Sequence, residues 1–354
     1  MVKTMKKMAR SRAPLRLGFA GGGTDVAPYC DQYGGCVLNA TINLFANCTL
    51  EYDPNGISIK LQALDIGVSE ILPLQSSLPL NGELRLHRAV YNRVVRDYLG
   101  GKPLAVNVST WSDAPPGSGL GTSSTLVVSI LAAYVELFSL PLGEYDIANL
   151  AYEIERLDCR LAGGKQDQYA ATFGGFNFME FYEGERVIVN PLRIRRHIEL
   201  ELESSLLLYF TGRSRESARI IDDQAKAAGA GGEPDTKAIN AMHQVKKMAY
   251  TMKESILKGD INGFHTNLGA SWAAKKQMAH SISNSDIELI ASRALDVGAK
   301  AVKISGAGGG GFMMISVDPI HRYQIIASLK DTGGVFHEFS FVNHGVETWR
   351  VFHL

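Results

Sequence analysis

Disulfide chemistry has little to work with in this chain. The four cysteines, Cys30, Cys36, Cys48 and Cys159, form no Cys-x-x-Cys pair, so free buried thiols are expected rather than a disulfide framework or a zinc site. Long apolar runs are missing too, which excludes a transmembrane span. Met1 to Arg10 is positively charged but lacks the apolar centre of a signal peptide, so the cytoplasm is the expected location. Neither charge sign is in excess. The 36 basic residues balance 36 acidic ones, leaving no global field that would favour nucleic acid or a membrane surface. Repeats are absent, and the low-complexity stretch from Ala225 to Glu233 reads as a surface loop between helices.

What remains is a globular composition, 45% hydrophobic and 20% charged, in 354 residues, long enough to expect two packed units. The chain is organised around Asp113-Ala-Pro-Pro-Gly-Ser-Gly-Leu-Gly-Thr-Ser-Ser124. Two prolines force an extended entry. Gly117, Gly119 and Gly121 then let the backbone turn where side chains would clash, and Thr122, Ser123 and Ser124 stand where helix N-caps are preferred. Leu126, Val127, Ile130, Leu131, Tyr134, Val135 and Phe138 continue at the spacing of a buried helix. A glycine loop opening such a helix leaves free N–H groups at the positive end of its dipole, an anion site suited to nucleotide phosphate. It is not a Walker loop, because no Gly-Lys-Ser/Thr ends it. It is not a dinucleotide fingerprint either, since the glycine spacing is wrong and prolines precede it.

In chain order, Leu15, Leu17 and Phe19 lie on one side of an alternating strand, with Arg16 on the other. The strand runs into Gly21-Gly22-Gly23, where close backbone approach is cheap, and then presents Thr24 and Asp25. On the functional reading Arg16 faces phosphate and Asp25 accepts hydrogen bonds from a polyol; on the plain one this is a strand and turn with a surface arginine. Residues 35–42 and 44–52 read as strands, and Asp53-Pro-Asn-Gly56 as a hairpin turn into a strand from Ile57 to Leu61. Arg88 to Tyr98 is helical by period, and Leu104 to Trp111 is the strand that delivers the chain to the glycine loop. A helix from Tyr145 to Leu161 carries Glu153, Glu155, Arg156 and Asp158. It breaks at Ala162-Gly-Gly164, and Asp167 follows between Gln166 and Gln168, where the glycine turn can press it toward a ligand.

Beyond this the pattern changes to a β-meander from Phe176 to Val189, a strand from Leu206 to Phe210, and a helix start at Thr211-Gly-Arg-Ser-Arg-Glu-Ser217. The two arginines and the hydroxyls there suit a second anion. Helices are expected from about Lys237 to Lys258, Ile261 to Ala279 and Asp286 to Val297. Two apolar strands then flank Gly306-Ala-Gly-Gly-Gly-Gly311, a turn shaped to bring backbone amides close to a ligand, and a helix and strand close the chain.

Taken together, Ala13-Pro-Leu-Arg-Leu, Pro116-Gly-Ser-Gly-Leu-Gly-Thr-Ser-Ser124 and Lys303-Ile-Ser-Gly-Ala-Gly-Gly-Gly-Gly311 resemble the three signatures of the GHMP kinases, in order and over nearly the whole chain. Within that superfamily Phe19-Ala-Gly-Gly-Gly-Thr-Asp25, Gly34 to Ile42 and Gly163-Gly-Lys-Gln-Asp-Gln-Tyr169 look like the bacterial D-glycero-D-manno-heptose 7-phosphate kinases. The kinase half of L-fucokinase shares part of the pattern. The resemblance implies an α+β fold of two domains, residues 1–185 like a small-subunit ribosomal protein and 186–354 ferredoxin-like, with ATP and sugar meeting between them. It places the nucleotide on Pro116, Gly117, Ser118, Gly119, Leu120, Gly121, Thr122, Ser123 and Ser124. The base or orienting aspartate falls on Asp167, with Arg16 near the transferred phosphate. Mg²⁺ falls on Ser123 and Glu155, with Thr122 and Glu153 as the alternatives. Gly22, Gly23, Thr24, Asp25, Lys165, Arg215, Gly308 and Gly309 fall on the substrate side.

The implied reaction is ATP-dependent phosphorylation of D-glycero-D-manno-heptose 7-phosphate at C1, giving the 1,7-bisphosphate for nucleotide-activated heptose and cell-surface polysaccharide, by a monomer or homodimer. The alternatives are a 1-kinase for an unphosphorylated sugar such as fucose or galactose, and a sensor of sugar and ATP without turnover. The first two divide on a second phosphate site, for which Arg213, Arg215, Lys275, Lys276 and Lys165 are the candidates.

Overall fold

The computed structural model describes residues 6–212 and 217–351. Two sheets organise it. In the first, β1 (Lys7–Ala20) follows the apolar alternation of the N-terminus, and both of its faces are buried from Ala13 onward. After a short helix α1 (Tyr29–Tyr33), the two expected strands are one continuous β2 (Gly35–Tyr52), antiparallel to β1 along almost its whole length. The Asp53–Gly56 turn forms, with the Gly56 N–H donating to the Asp53 carbonyl at 3.0 Å, but it does not close a hairpin. β3 (Ser58–Ala63) pairs with β4 (Val68–Pro73), and β5 (Val106–Ser112) is inserted between β2 and β3. A local turn signal cannot register that later strand. The first half of β2 pairs with β6 (Phe176–Phe181), which in turn pairs with β7 (Val187–Pro191).

Helices α2 (Arg85–Tyr98), α3 (Thr122–Phe138) and α4 (Glu144–Glu153) cover one face of this sheet. Val94, Val127, Leu131, Tyr134 and Ile154 join Leu50, Leu61 and Val108 in one buried core. α4 does not run on to Leu161 as an α-helix: residues Ile154–Asp158 form a π-turn. α5 (Gln166–Phe173) follows the glycine break.

The second sheet has the order β11-β8-β10-β9. α6 (Arg196–Ser204) leads into β8 (Leu206–Phe210), and α7 (Ser217–Ala227), α8 (Thr236–Lys258), α9 (Ile261–Lys275) and α10 (Ser285–Asp296) precede β9 (Ala299–Ile304) and β10 (Phe312–Val317). α9 ends at Lys275, four residues before the expected limit. Asp235, Asp260 and Asn284 cap α8, α9 and α10 with their side-chain oxygens. α11 (Arg322–Ser328) and β11 (Val335–His337) follow, and β12 (Glu347–Val351) returns to the first sheet, antiparallel to β1.

The two sheets share a core. Leu15, Leu17 and Phe19 of β1 pack with Met252 and Ile256 of α8, Phe264 and Leu268 of α9, and Phe312 of β10. Phe19 and Phe264 meet edge to face, with centroids 5.6 Å apart. An apolar seam fixes one half of the molecule on the other, and residues of both halves line the cavity described next.

Candidate active site

A cavity of about 400 Å³ opens where the two halves meet. One wall is the glycine loop. Gly117, Gly119 and Gly121 take φ values of 72°, 85° and 81°, a region in which side-chain-bearing residues are strained. Gly121 stands at the N-terminus of α3, Ser123 is exposed to the cavity, and Ser118 and Thr122 are buried with their hydroxyls 3.1 Å apart. Loop and C-terminal glycine turn are built against each other. The Phe312 N–H donates to the Ser118 carbonyl at 2.8 Å, and a Cβ at Gly306 would lie 2.7 Å from the Gly119 oxygen. Gly306 and Ala307 therefore line the cavity. Gly308 and Gly309 do not: they pack against Ile282 and accept from Asn284, outside it.

Arg16 is buried rather than a surface arginine, with 3% of its area exposed. Its Nε and Nη2 both donate to Asp167 Oδ1, at 2.8 and 2.6 Å, while Nη1 donates to the Gly119 carbonyl at 2.6 Å. One guanidinium thus ties the α5 carboxylate to the glycine loop. Asp167 also lies against Gly121, where any Cβ would come within 3.0 Å of its carboxyl carbon. Beneath them the buried Lys303 ammonium donates to the Gly18 carbonyl at 2.7 Å. Burial first, then the neighbouring charges of Lys275 and Arg16, hold its pKa well below the usual lysine range.

The opposite wall is polar and suits a hydroxyl-rich molecule. Asp25 accepts from the N–H groups of Gly23 and Gln166 and from the Gln166 amide. A Cβ at Gly164 would strike its carboxylate, which is why the break before α5 must be glycine. Arg156 lines the cavity and donates to the carbonyls of Leu161, Ala162 and Gly164, pinning that glycine turn. From the other half come Ala218, Ile221, Gln224 and Lys275; Lys275 donates to the Gly22 and Gly306 carbonyls at 3.0 and 2.8 Å.

Glu155, 1% exposed, also lines the cavity and accepts from Gln168, whose amide reaches Ser124 Oγ at 3.1 Å. Glu153 points elsewhere, held by Arg93 at 2.7 Å and Asn149 at 3.0 Å. Of the other sequence candidates, Gly22, Pro116, Ser118, Leu120, Thr24, Lys165 and Lys276 do not line the cavity. The Thr24 hydroxyl is folded into its own turn, bonded to the Gly21 and Cys36 carbonyls. Lys165 turns to the Gly184 carbonyl between β6 and β7, and Lys276 pairs with Glu288 at 2.9 Å. Arg213 and Arg215 fall outside the described residues. Sequence reasoning missed Gln224, which carries no motif, and gave Arg156 no role although it adjoins Glu155. All four cysteines are buried and unpaired, and burial pushes the Cys36 thiol up to about 12 and the Cys159 thiol to about 11.

Fold and site together define a class, and comparison with known proteins agrees. The family model for the GHMP kinases N terminal domain matches residues 85–175, and that for GHMP kinases C terminal matches residues 252–334. The chain belongs to the GHMP kinase family and is an ATP-using sugar kinase. It is 48% identical to D-glycero-alpha-D-manno-heptose 7-phosphate kinase of Campylobacter jejuni, over 98% of this chain and 100% of that one. The crystal structure of a D-glycero-D-manno-heptose 1-phosphate kinase from Bacteroides thetaiotaomicron superposes with a TM-score of 0.83 at 44% identity, covering 98% of this chain and 100% of the other. L-fucokinase/L-fucose-1-P guanylyltransferase of Bacteroides fragilis is 27% identical over 87% of this chain, which spans 34% of that protein. No helix among the described residues is long and apolar enough to cross a membrane.

Proposed function

We propose that this kinase transfers the γ-phosphoryl group of ATP to the anomeric hydroxyl of D-glycero-D-manno-heptose 7-phosphate in the cytoplasm. The carrying observation is one cavity that joins the glycine loop, Asp167 and a polyol-ready wall containing two cations, in a chain 48% identical over its length to a kinase of that name. The names of the two close relatives differ in where the phosphate sits, 7 or 1. A C1 hydroxyl must be free for phosphorylation there, which favours a substrate already phosphorylated at the far end.

Asp167 orients the attacking hydroxyl and accepts its proton. Two of the three Arg16 guanidinium nitrogens act on Oδ1, so the carboxylate is held against the glycine loop. The loop amides and the N-terminus of α3 stabilise negative charge on the nucleotide phosphates. Asp25 receives sugar hydroxyls, and Arg156 and Lys275 receive the substrate's own phosphate. Mg²⁺ fits the remaining donors. Ser123 offers an exposed hydroxyl and Glu155 a buried carboxylate, and no cluster of three His, Cys, Asp or Glu occurs among the described residues. That sparse oxygen set suits a cation that keeps waters and phosphate oxygens as its other ligands. When bound it would neutralise charge on the transferred group.

A coupled ADP-release assay across heptose 7-phosphate, heptose, mannose, fucose and galactose tests the assignment. Heptose 7-phosphate should exceed the others in kcat/KM, and Arg156→Ala should raise its KM at least tenfold with little change in the ATP KM. Equal turnover of unphosphorylated heptose would decide for a plain sugar kinase.

A further inference from the structure

Glu155 is delivered to the cavity by an irregular piece of helix, and the irregularity has an identifiable cause. α4 gives way after Glu153 to the π-turn Ile154–Asp158, in which the Cys159 N–H donates to the Ile154 carbonyl, five residues back, at 3.0 Å. In an uninterrupted α-helix, residues five apart point about 140° away from each other. The wider turn closed by an i→i+5 hydrogen bond brings them closer to one face. Glu153 and Asp158 are five apart, and a single guanidinium holds both. Arg93 of α2 donates through Nε and Nη2 to the two oxygens of Asp158 at 2.9 and 2.8 Å, and through Nη1 to Glu153 at 2.7 Å. Its side chain is 10% exposed, and Asp97 adds a third carboxylate at 3.7 Å. Bidentate pairing of this kind fixes geometry as well as charge.

We infer that Arg93 is a positioning residue for the metal side of the site: by clasping Glu153 and Asp158 it holds residues 154–158 in the π register that sets Glu155 beside Gln168 and the cavity. One residue of register is about 100° of rotation, so relaxation to an α-helical turn would swing the side chains that follow. Arg93 is not among the cavity-lining residues, so any effect of its replacement on metal is transmitted through the helix. This inference rests on the assignment of Glu155 to Mg²⁺ above.

The test uses the full chain with ADP and Mn²⁺, following bound metal by electron paramagnetic resonance. Glu155→Gln is the control and should weaken Mn²⁺ binding at least tenfold; an unchanged affinity would remove the metal assignment itself. Given that loss, Arg93→Lys, which cannot span both carboxylates, should also weaken Mn²⁺ at least tenfold and leave metal-free ADP affinity and sugar KM near wild type. A folded Arg93→Lys protein with wild-type Mn²⁺ affinity overturns the inference. If that variant does not fold, Asp158→Asn decides by the same criterion, because it opens one side of the clasp and leaves Arg93 paired with Glu153.

Discussion

At the scale of single residues, the pair Arg16–Asp167 carries the most consequence. Asp167→Asn keeps shape and polarity but removes the proton acceptor and the negative charge. A general base contributes typically ~10²–10⁴-fold, so kcat should fall by about that factor while ATP still binds. The same change leaves the buried Arg16 without its counter-charge, and breaking such a pair costs about 3 kcal/mol. Melting temperature is therefore expected to drop as well, and cannot serve alone as a control. The discriminating measurement is kcat beside ATP affinity, both well below the melting transition. A folded, ATP-binding variant that turns over near the wild-type rate would take Asp167 out of the chemistry. Glu153 and Glu155 show how far neighbours can diverge: one faces Arg93 and the other the cavity.

At the scale of elements, the glycine loop and the α2–β5 contact each make a prediction. Gly119 holds φ at 85° and presents its carbonyl to Arg16, so Gly119→Val asks a β-branched residue to take a conformation it disfavours strongly. The ATP KM is expected to rise more than tenfold, and unchanged nucleotide affinity in a folded variant would detach the loop from the site. In the second contact, His87 of α2 meets Thr110 of β5 at 2.8 Å, and that hydroxyl can donate on to the Gln62 carbonyl. His87 Nε2–H is then the donor, and Nδ1 is buried with no partner. A proton there would be an unpaired buried charge, and burial lowers the pKa to about 4. The unfolded chain, with an ordinary histidine pKa near 6.5, binds this proton first as pH falls. Its contribution to stability is therefore full above about 6.5 and shrinks toward pH 4, by roughly 3 kcal/mol in all. Urea unfolding of wild type and His87→Gln across that window should show the smaller slope in the variant; parallel curves would contradict the buried neutral imidazole.

At the scale of the whole molecule, paired strands cross the boundary after residue 185 that the family resemblance implies. A cut after residue 185 leaves the first sheet without β7 and without β12, the strand that pairs with β1. It also strips α8 and α9 from Leu15, Leu17 and Phe19. A 1–185 fragment would expose an unpaired edge beside an apolar face, a combination that promotes association. It is expected to aggregate or to lack a cooperative melting transition, whereas a monomeric fragment with a sharp transition would show that the first sheet folds alone. The same docking joins the glycine loop to Gly306 and Gly311, so neither half holds a complete site.

Local signals were enough for a good part of this. The turning glycines of the loop, the apolar period of α3 and the extents of α8 and α10 are written in short windows of sequence, because each depends on backbone conformation or spacing within a turn or two. Arg16, Ser123, Glu155 and Asp167 are singled out by the family resemblance. The sequence also placed the chain in its family through three separated motifs. Only the tertiary structure decided the rest. It put β5 where a hairpin was expected, turned Thr24 and Lys165 away from the cavity, brought Arg156 and Gln224 into it, and made Arg16 a buried clamp. It also broke α4 into a π-turn, since the carboxylates that favour that register answer to Arg93, 60 and 65 positions away in the chain. Long-range pairing of this kind leaves no mark on the local pattern, because the energy that selects it comes from a partner the local window does not contain.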